Sequence, residues 1–229
     1  MAGSQMNSRG VLVIVSSPSG AGKTTLTKRL LEELKGQLEF SVSYTTRPMR
    51  TGEQHGKDYW FVSTDEFDEM VNKGEFAEWA FVHRNRYGTA AAPVETALAE
   101  GRDVIFDVDW QGGKALSQRW PNDCLKIFVL PPDLETLERR LRQRATDAPH
   151  VVETRLRNAK EELTHYREYQ HLIVNDDLER AYALLRAMYL TRKYGEVART
   201  DVPYDLPALA NLVAANRVAE AHAETLVGR

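Results

Sequence analysis

The sequence predicts an α/β protein in which helices flank a parallel sheet, and three observations support this prediction. Short apolar runs rich in β-branched residues recur at 11–15, 104–106 and 127–130, with a weaker run at 172–174. Each run is apolar at consecutive positions, which indicates strands buried on both faces. Helical patterns lie between the runs, and strands that alternate with helices are typical of a parallel sheet.

Three helices are predicted from apolar residues spaced three and four positions apart. These residues are Leu26, Leu30, Leu31 and Leu34 in the first, Leu134, Leu137 and Leu141 in the second, and Ala181, Leu184, Leu185 and Met188 in the third. Gly36 follows the first pattern, as expected for a residue that ends a helix.

Length and composition place the chain among ordinary globular proteins. Its 229 residues carry 30 Lys and Arg against 33 Asp and Glu, a formal net charge of −3, and 42% are hydrophobic. The length fits one domain with inserted lobes, or two domains. The near-neutral charge argues against a general nucleic-acid binder, which usually carries a basic excess.

Cysteine usage and hydropathy predict a cytoplasmic protein with no membrane partner. Cys124 is the only cysteine, which excludes an internal disulfide and suits a reducing compartment. Residues 1–10 lack the basic segment and apolar core of a secretory signal. No apolar run approaches the ~18 residues that a membrane-spanning helix needs.

Two segments break the alternation of strands and helices. Residues 41–91 are rich in Thr, Gly, Tyr and charged side chains, which predicts an inserted lobe, and the Arg-dense residues 139–157 predict a second, smaller insertion. Two prolines and Ala-rich apolar spacing in residues 201–229 predict a C-terminal helix packed on the body, with a structural role. The predicted core consists of the remaining segments, 11–40, 92–138 and 158–200.

A phosphate-binding loop is predicted directly after the first strand. Gly22, Lys23 and Thr24 match the end of the pattern G-x-x-x-x-G-K-[ST], while Ser17 stands at the first glycine position. Backbone amides of such a loop and the helix N-terminus that follows attract phosphate, and the lysine adds a mobile positive charge. The predicted ATP-binding residues here are Ser19, Gly20, Ala21, Gly22, Lys23, Thr24 and Thr25. The alternative is a glycine-rich turn without a ligand.

A carboxylate ends the second predicted core strand. Asp107 follows the apolar residues 104–106, and in phosphate-loop enzymes an Asp at this place lies near the metal ion. The Thr24 hydroxyl is a hard oxygen ligand that suits Mg²⁺. We therefore expect Mg²⁺ at Thr24 and Asp107, although Asp107 alone would also suit a helix cap or a surface turn.

Six motifs occur in order along the chain: SPSGAGKTTL, VSYTTRPMRTGEQHGKDYWFV, GEFAEWA, YGT, DVDWQG and IVNDDL. In these motifs the sequence closely resembles the guanylate kinases, phosphate-loop enzymes that transfer a phosphoryl group from ATP to GMP. The resemblance runs from about residue 11 to residue 193. It implies a phosphate-loop NTPase-type core, a GMP-binding lobe at 41–91, a mobile lid at 139–157, and Mg²⁺ with ATP as co-substrate.

The resemblance also implies which residues bind GMP. Arg47 and Arg50, helped by Tyr59 and Tyr87, would hold its phosphate, while Ser43, Glu78, Thr89 and Asp109 would line the guanine pocket. Tyr44 stands where many family members have Ser, beside that pocket.

Glu78 has an independent chemical argument, because one carboxylate can accept from both adjacent N–H donors of guanine. Without the other motifs, Glu78 would be interpreted as an exposed residue, the tyrosines as packing aromatics and the arginines as a solvated face.

The arginine-rich segment has two interpretations. Arg140 and Arg144 are one helical turn apart and share a face, which by itself indicates a solvated basic surface. The resemblance implies that Arg140, Arg144 and Arg155 approach the donor phosphates and, with Lys23, form the catalytic set. It also implies that Asn175 contacts the donor adenine, although Asn175 and the two aspartates after it would equally suit a helix start.

The sequence thus predicts Mg²⁺-dependent conversion of ATP and GMP to ADP and GDP, a step of purine nucleotide metabolism, with no nucleic-acid partner. The alternatives are a non-catalytic guanylate-kinase-like module that binds phosphorylated peptides, a related phosphate-loop small-molecule kinase, and a mechanical or signalling NTPase. Gly22, Lys23 and the arginine-rich segment favour an enzyme over the module, and Glu78 with Ser43 favours guanine as the base.

Overall fold

The structure, a computed structural model, describes residues 9–82, 84–144, 149–195 and 202–228. Its strands are Leu12–Ser16 (β1), Leu38–Phe40 (β2), Tyr44–Thr45 (β3), Trp60–Phe61 (β4), Phe76–Val82 (β5), Asn85–Ala90 (β6), Asp103–Asp107 (β7), Cys124–Leu130 (β8) and His171–Val174 (β9). Its α-helices are Lys23–Glu33 (α1), Thr64–Asn72 (α2), Ala91–Ala99 (α3), Trp110–Arg119 (α4), Leu134–Arg144 (α5), Pro149–Leu163 (α6), Leu178–Tyr194 (α7), Leu206–Ala215 (α8) and Val218–Val227 (α9). None of these described helices is both long and apolar enough to cross a bilayer.

A five-stranded parallel sheet with the order β2-β7-β1-β8-β9 forms the centre of the fold. Successive side chains of β1 point to opposite faces of the sheet. Val13 and Val15 belong to a buried cluster with α1 and α7. Leu12 and Ile14 belong to a different buried cluster with α3 and α4. Helices therefore cover both faces of the sheet, which explains why its strands are continuously apolar. The predicted α/β class with a helix-flanked parallel sheet is confirmed.

A second, four-stranded sheet with the order β4-β3-β6-β5 lies within the segment where the alternation of strands and helices breaks down. β5 and β6 form its antiparallel hairpin, which pairs Glu78 with Thr89. Helix α2 begins at a capping box, in which the Ser63 side chain accepts from the Glu66 amide and the Glu66 carboxylate accepts from the Ser63 amide.

Helices α5 and α6 occupy the arginine-rich region and extend beyond the predicted insertion 139–157 on both sides. Leu137 and Leu141 of α5 pack with Ala159 of α6, so an apolar seam joins the two helices. The same leucines lie beneath the phosphate loop, 3.2 and 3.3 Å from the place where a Cβ on Gly20 would sit.

The C-terminal segment forms two helices, where the sequence pattern predicts one. The chain turns at Asn216, whose side-chain amide donates to the Leu172 carbonyl at 2.6 Å. After this turn, α9 buries Ala219, Ala223 and Leu226. The expected packing of the tail on the body is therefore present, with a side-chain anchor on β9 at the break.

Candidate active site

The loop between β1 and α1 has the backbone shape that its glycines predict. Gly20 and Gly22 have φ values of 91° and 97°, in the left-handed region. A Cβ on Gly22 would lie 2.3 Å from the Asn175 side-chain nitrogen, so glycine is required there. Among the described non-glycine residues only Arg84 has a positive φ. Ser17 therefore occupies the first glycine position of the motif without backbone strain.

Lys23, Thr24 and Asp107 meet at the carboxyl edge of the central sheet. Because β7 runs parallel to β1 with Val15 opposite Asp107, the end of β7 lies beside the loop. The Lys23 ammonium forms an ion pair with the Asp107 carboxylate, and the Thr24 hydroxyl donates to the same carboxylate at 2.9 Å. An ammonium group and two kinds of hard oxygen thus converge at the mouth of the loop.

Asn175 and Arg140 approach the other side of the loop. The buried Asn175 amide donates to the Ala21 carbonyl at 2.7 Å, and Arg140 Nη1 lies 3.4 Å from the same oxygen. Asp177 accepts from the Arg180 amide at 2.8 Å and caps α7, so this aspartate has the helix-start role weighed from the sequence. A cavity of about 480 Å³ opens here, lined by Gly20, Gly22, Thr25, Arg140, Gln143, Asn175, Asp176 and Leu178.

The other two arginines of the predicted lid are Arg155 and Arg144. Arg155 lies on α6 and is partly exposed. Arg144 is the last residue of α5, and its side chain lies outside the described residues.

Glu78 lies on the hairpin of the second sheet and is partly buried. The Thr89 hydroxyl donates to Glu78 Oε1 at 2.6 Å. Burial raises the pKa of Glu78, and the nearby Asp109 carboxylate raises it further. The second carboxylate oxygen, Oε2, lies 3.4 Å from the position that a Cβ on Gly112 of α4 would take. Glu78 therefore faces the start of α4, across the gap between the two sheets.

Asp109 and Ser43 lie near Glu78 and Thr89. Asp109 caps α4 and accepts from the Gly112 amide at 2.8 Å, so one of its oxygens is already engaged. Ser43 precedes β3, and its carbonyl accepts from the Trp60 amide at 2.9 Å. The structure thus brings Ser43, just before β3, and Asp109, at the start of α4, close to the Glu78–Thr89 pair.

Arg47 and two tyrosines form a second cluster on this sheet. The Arg47 guanidinium lies 5.4 Å from the centre of the Tyr59 ring, and the Tyr59 and Tyr87 rings are 5.8 Å apart. Burial raises the pKa of Tyr59, so its hydroxyl remains protonated and able to donate a hydrogen bond. Arg50 is exposed, and its backbone amide donates to the Glu53 carboxylate at 2.7 Å.

Comparison with known proteins assigns the chain to a family. The family model described as guanylate kinase matches residues 9–191. The chain belongs to the guanylate kinase family. The guanylate kinase of Rhodopseudomonas palustris is 51% identical over 189 residues, covering 81% of this chain and 86% of that protein. The guanylate kinase of Hyphomonas neptunium is 46% identical over 203 residues, covering 89% and 93%.

A solved structure supports the same assignment. The crystal structure of guanylate kinase from Anaplasma phagocytophilum matches with a TM-score of 0.65 and 32% identity. The match covers 89% of this chain and 95% of that one. The resemblance to the guanylate kinases found in the sequence motifs is therefore confirmed.

Sequence reasoning missed two acidic residues of the candidate active site. Glu53 binds Arg47 through two hydrogen bonds, at 2.7 and 3.0 Å, and accepts from the Arg50 amide at 2.7 Å. The Arg47 hydrogen bonds lower the pKa of Glu53, which keeps it ionised. Glu53 lies three residues after Arg50, a spacing that could have suggested a tight turn.

Glu162 is the second missed residue. It lies on α6 and accepts from the Ser19 amide of the phosphate loop at 3.1 Å. Burial raises its pKa. The two residues are 143 positions apart in sequence, so no local pattern signals the contact.

Proposed function

We propose that this chain transfers the γ-phosphoryl group of ATP to GMP, giving ADP and GDP. The observation that supports this proposal most strongly is the partly buried Glu78 carboxylate, which accepts a hydrogen bond from the Thr89 hydroxyl at 2.6 Å. Guanine offers two adjacent N–H donors, at N1 and at the exocyclic amine, and one ionised carboxylate accepts from both. Adenine has an acceptor at N1 and no amine at C2, so it would offer this carboxylate no donor in place of the water that it displaces.

The proposed GMP site extends from this pocket to the arginine cluster. Ser43, Thr89 and Asp109 would complete the guanine pocket. Arg47, Arg50, Tyr59 and Tyr87 would hold the phosphate, because guanidinium groups match phosphate oxygens and tyrosine hydroxyls donate to them. Glu53 holds the Arg47 guanidinium in one orientation and closes the turn to Arg50.

The proposed ATP site is the phosphate loop with the cavity beside Asn175. Amides of residues 19–25 would bind the donor phosphates, and Lys23 would stand at the group that is transferred. Arg140, Arg144 and Arg155 would approach the same phosphates from α5 and α6. Asn175, whose amide supports the Ala21 carbonyl, would border the donor adenine.

The residues at the loop mouth suit Mg²⁺. Thr24 supplies a hydroxyl and Asp107 a carboxylate, and their oxygens are 2.9 Å apart. Hard oxygen ligands of this kind are those that Mg²⁺ prefers. We propose Thr24 and Asp107 as its protein contacts, where the bound ion would neutralise charge on the donor phosphates.

Positioning and charge stabilisation account for the proposed chemistry without a covalent enzyme intermediate. A GMP phosphate oxygen attacks the γ-phosphorus of ATP, the bond to the ADP oxygen breaks, and the cationic side chains stabilise the equatorial oxygens. We propose that segments 41–91 and 139–157 move as lobe and lid against the core and exclude water from the reacting groups.

Two alternatives are less well supported. A phosphopeptide-binding module would not need a strain-free phosphate loop in which Lys23 and Asp107 are paired. A kinase for a sugar phosphate would not need a partly buried carboxylate that Thr89 holds at the acceptor site. We further propose a cytoplasmic location, which suits a chain whose only cysteine, Cys124, is buried and unpaired.

A coupled assay of ADP formation with GMP, AMP, CMP and UMP as acceptors tests the proposal. We expect ADP formation with GMP at a rate at least about 1,000-fold above that with AMP, because the wrong base leaves buried groups unpaired. Equal rates with GMP and AMP, or no dependence on any acceptor, would refute it.

A further inference from the structure

The Glu162 carboxylate lies against the backbone of the phosphate loop. Glu162 Oε2 accepts from the Ser19 backbone amide at 3.1 Å. The cavity at this point has a volume of about 250 Å³ and is lined by loop residues together with Lys23, Thr24, Asp109 and Glu162. Amides of such a loop normally bind phosphate oxygens. One anion-binding group of the loop is therefore engaged by an anion that belongs to the protein.

The surroundings of Glu162 make its negative charge costly. Burial raises the pKa of Glu162, and Asp109 at the start of α4 and Glu161 on the same helix raise it further. Lys23 at the start of α1 has the opposite effect, and the Ser19 amide also favours the ionised form. The Glu162 carboxylate therefore lies near two other acidic side chains and one ammonium group, at the place where a bound triphosphate would add several negative charges.

We propose that Glu162 is a positioning residue that sets the affinity for the donor nucleotide, because its carboxylate occupies the Ser19 amide until the donor phosphates displace it. This inference rests on the proposed function, in which ATP is the donor. Two effects follow from the geometry. First, the ionised Glu162 carboxylate repels the donor phosphates as they bind. Second, its hydrogen bond to the Ser19 amide must break each time ATP binds. The wild-type affinity for ATP is therefore lower than it would be without Glu162.

Two substitutions separate charge from tethering. Glu162→Gln keeps the size of the side chain and an oxygen that accepts from Ser19, but it removes the charge. Glu162→Ala removes both. Glu161→Gln is the matched control, because Glu161 is exposed, lies one residue earlier on α6 and loses the same charge. Tm values for all three variants confirm that they are folded.

The first measurement is the dissociation constant of ATP with Mg²⁺, obtained by titration calorimetry without GMP, together with KM for ATP and for GMP. Repulsion between charges a few ångströms apart in a partly buried site changes affinity by about tenfold or more. We expect Glu162→Gln and Glu162→Ala both to bind ATP about tenfold more tightly, with KM for GMP unchanged. Glu161→Gln should match the wild type.

A purely structural tether predicts a different pattern. Glu162→Gln would then bind ATP like the wild type, and Glu162→Ala would bind it more weakly. Either of these results overturns the proposal.

The second measurement is the pH dependence of the ratio of wild-type to Glu162→Gln dissociation constants. Because its pKa is raised, the wild-type Glu162 carboxyl group takes up a proton at a higher pH than an ordinary glutamate, and its charge is lost progressively as the pH falls. The ratio should therefore fall towards one, while titration of ATP itself affects both proteins and cancels. A ratio that stays constant with pH contradicts the role of the charge.

The failure of the proposed function and the failure of the role of Glu162 can be told apart. A wild-type protein that shows the expected ATP effects but phosphorylates no GMP would refute the function and keep the role of Glu162. A wild-type protein that phosphorylates GMP while Glu162→Gln leaves ATP affinity unchanged would refute the role of Glu162 alone.

Discussion

Replacing Glu78 with Gln perturbs the proposed guanine pocket with little change of shape. The Thr89 hydroxyl donates to Oε1 of Glu78 at 2.6 Å, so the glutamine oxygen would remain on that side. The amide NH₂ would then take the place of Oε2, which faces the start of α4. A donor would thus meet the N–H groups of guanine where the wild type presents an acceptor.

The expected magnitude follows from the hydrogen bonds that are lost. A hydrogen bond to a charged group contributes about 1.5–3 kcal/mol, and a donor left facing another donor in a buried pocket adds a desolvation cost. We expect a loss of about 3–4 kcal/mol in transition-state stabilisation with GMP, which corresponds to about a 100- to 1,000-fold drop in kcat/KM. The acceptor at N1 of adenine would tolerate the new donor, so activity with AMP should fall less.

The assay compares kcat/KM for GMP and AMP in the wild type, in Glu78→Gln and in the control Glu75→Gln. Glu75 is exposed just before β5 and loses the same charge outside the pocket. The GMP/AMP preference should fall at least about tenfold in Glu78→Gln and stay unchanged in the control. An unchanged preference in Glu78→Gln would refute the assignment of this carboxylate to the base.

Four further outcomes are expected. Lys23→Ala should lower kcat about 1,000-fold at an almost unchanged Tm, since it removes a cation from the transferred phosphate; near-normal turnover in the coupled assay would contradict this. Gly22→Ala should lower kcat/KM for ATP about 100-fold, because the new Cβ would collide with the Asn175 side chain. Its control is Gly36→Ala, whose Cβ would have nothing within 4 Å, and this variant should lose only about 1 kcal/mol of stability in denaturant unfolding. Glu53→Ala should raise KM for GMP about tenfold by releasing the guanidinium that it orients, and an unchanged KM would exclude that role. Burial raises the pKa of Glu78, so the folded protein holds this proton more tightly than the unfolded chain and loses stability as the pH rises and the carboxyl group ionises. Glu78→Gln should therefore raise Tm by a few degrees at about pH 8 and by less at about pH 4, and an equal gain at both pH values would contradict this.

The central sheet and the phosphate loop could be predicted because their physical requirements are local. A strand covered by helices on both faces must be apolar at consecutive positions, as Val13 and Ile14 are, since they belong to different buried clusters. The loop needs left-handed backbone at Gly20 and Gly22, which only glycine adopts freely. Both requirements leave a pattern within about ten residues of sequence.

The rest of the site depends on contacts between distant segments. The bond between Ser19 and Glu162 joins α6 to the loop, and neither residue type is unusual where it stands. Asn175 could be matched to a motif, but its donation to the Ala21 carbonyl depends on the place of β9 beside β8 in the central sheet. The C-terminal segment divides at Asn216 without a proline or glycine at the break, so the apolar spacing alone indicated one helix.

A structure of the protein crystallised with GMP and a non-hydrolysable ATP analogue would show where both nucleotides bind. We expect the guanine edge within hydrogen-bonding distance of Glu78, the GMP phosphate against Arg47 and Arg50, and the triphosphate in the loop with Lys23 at its terminal group. A guanine base bound away from Glu78, or a triphosphate bound away from Lys23, would contradict this expectation.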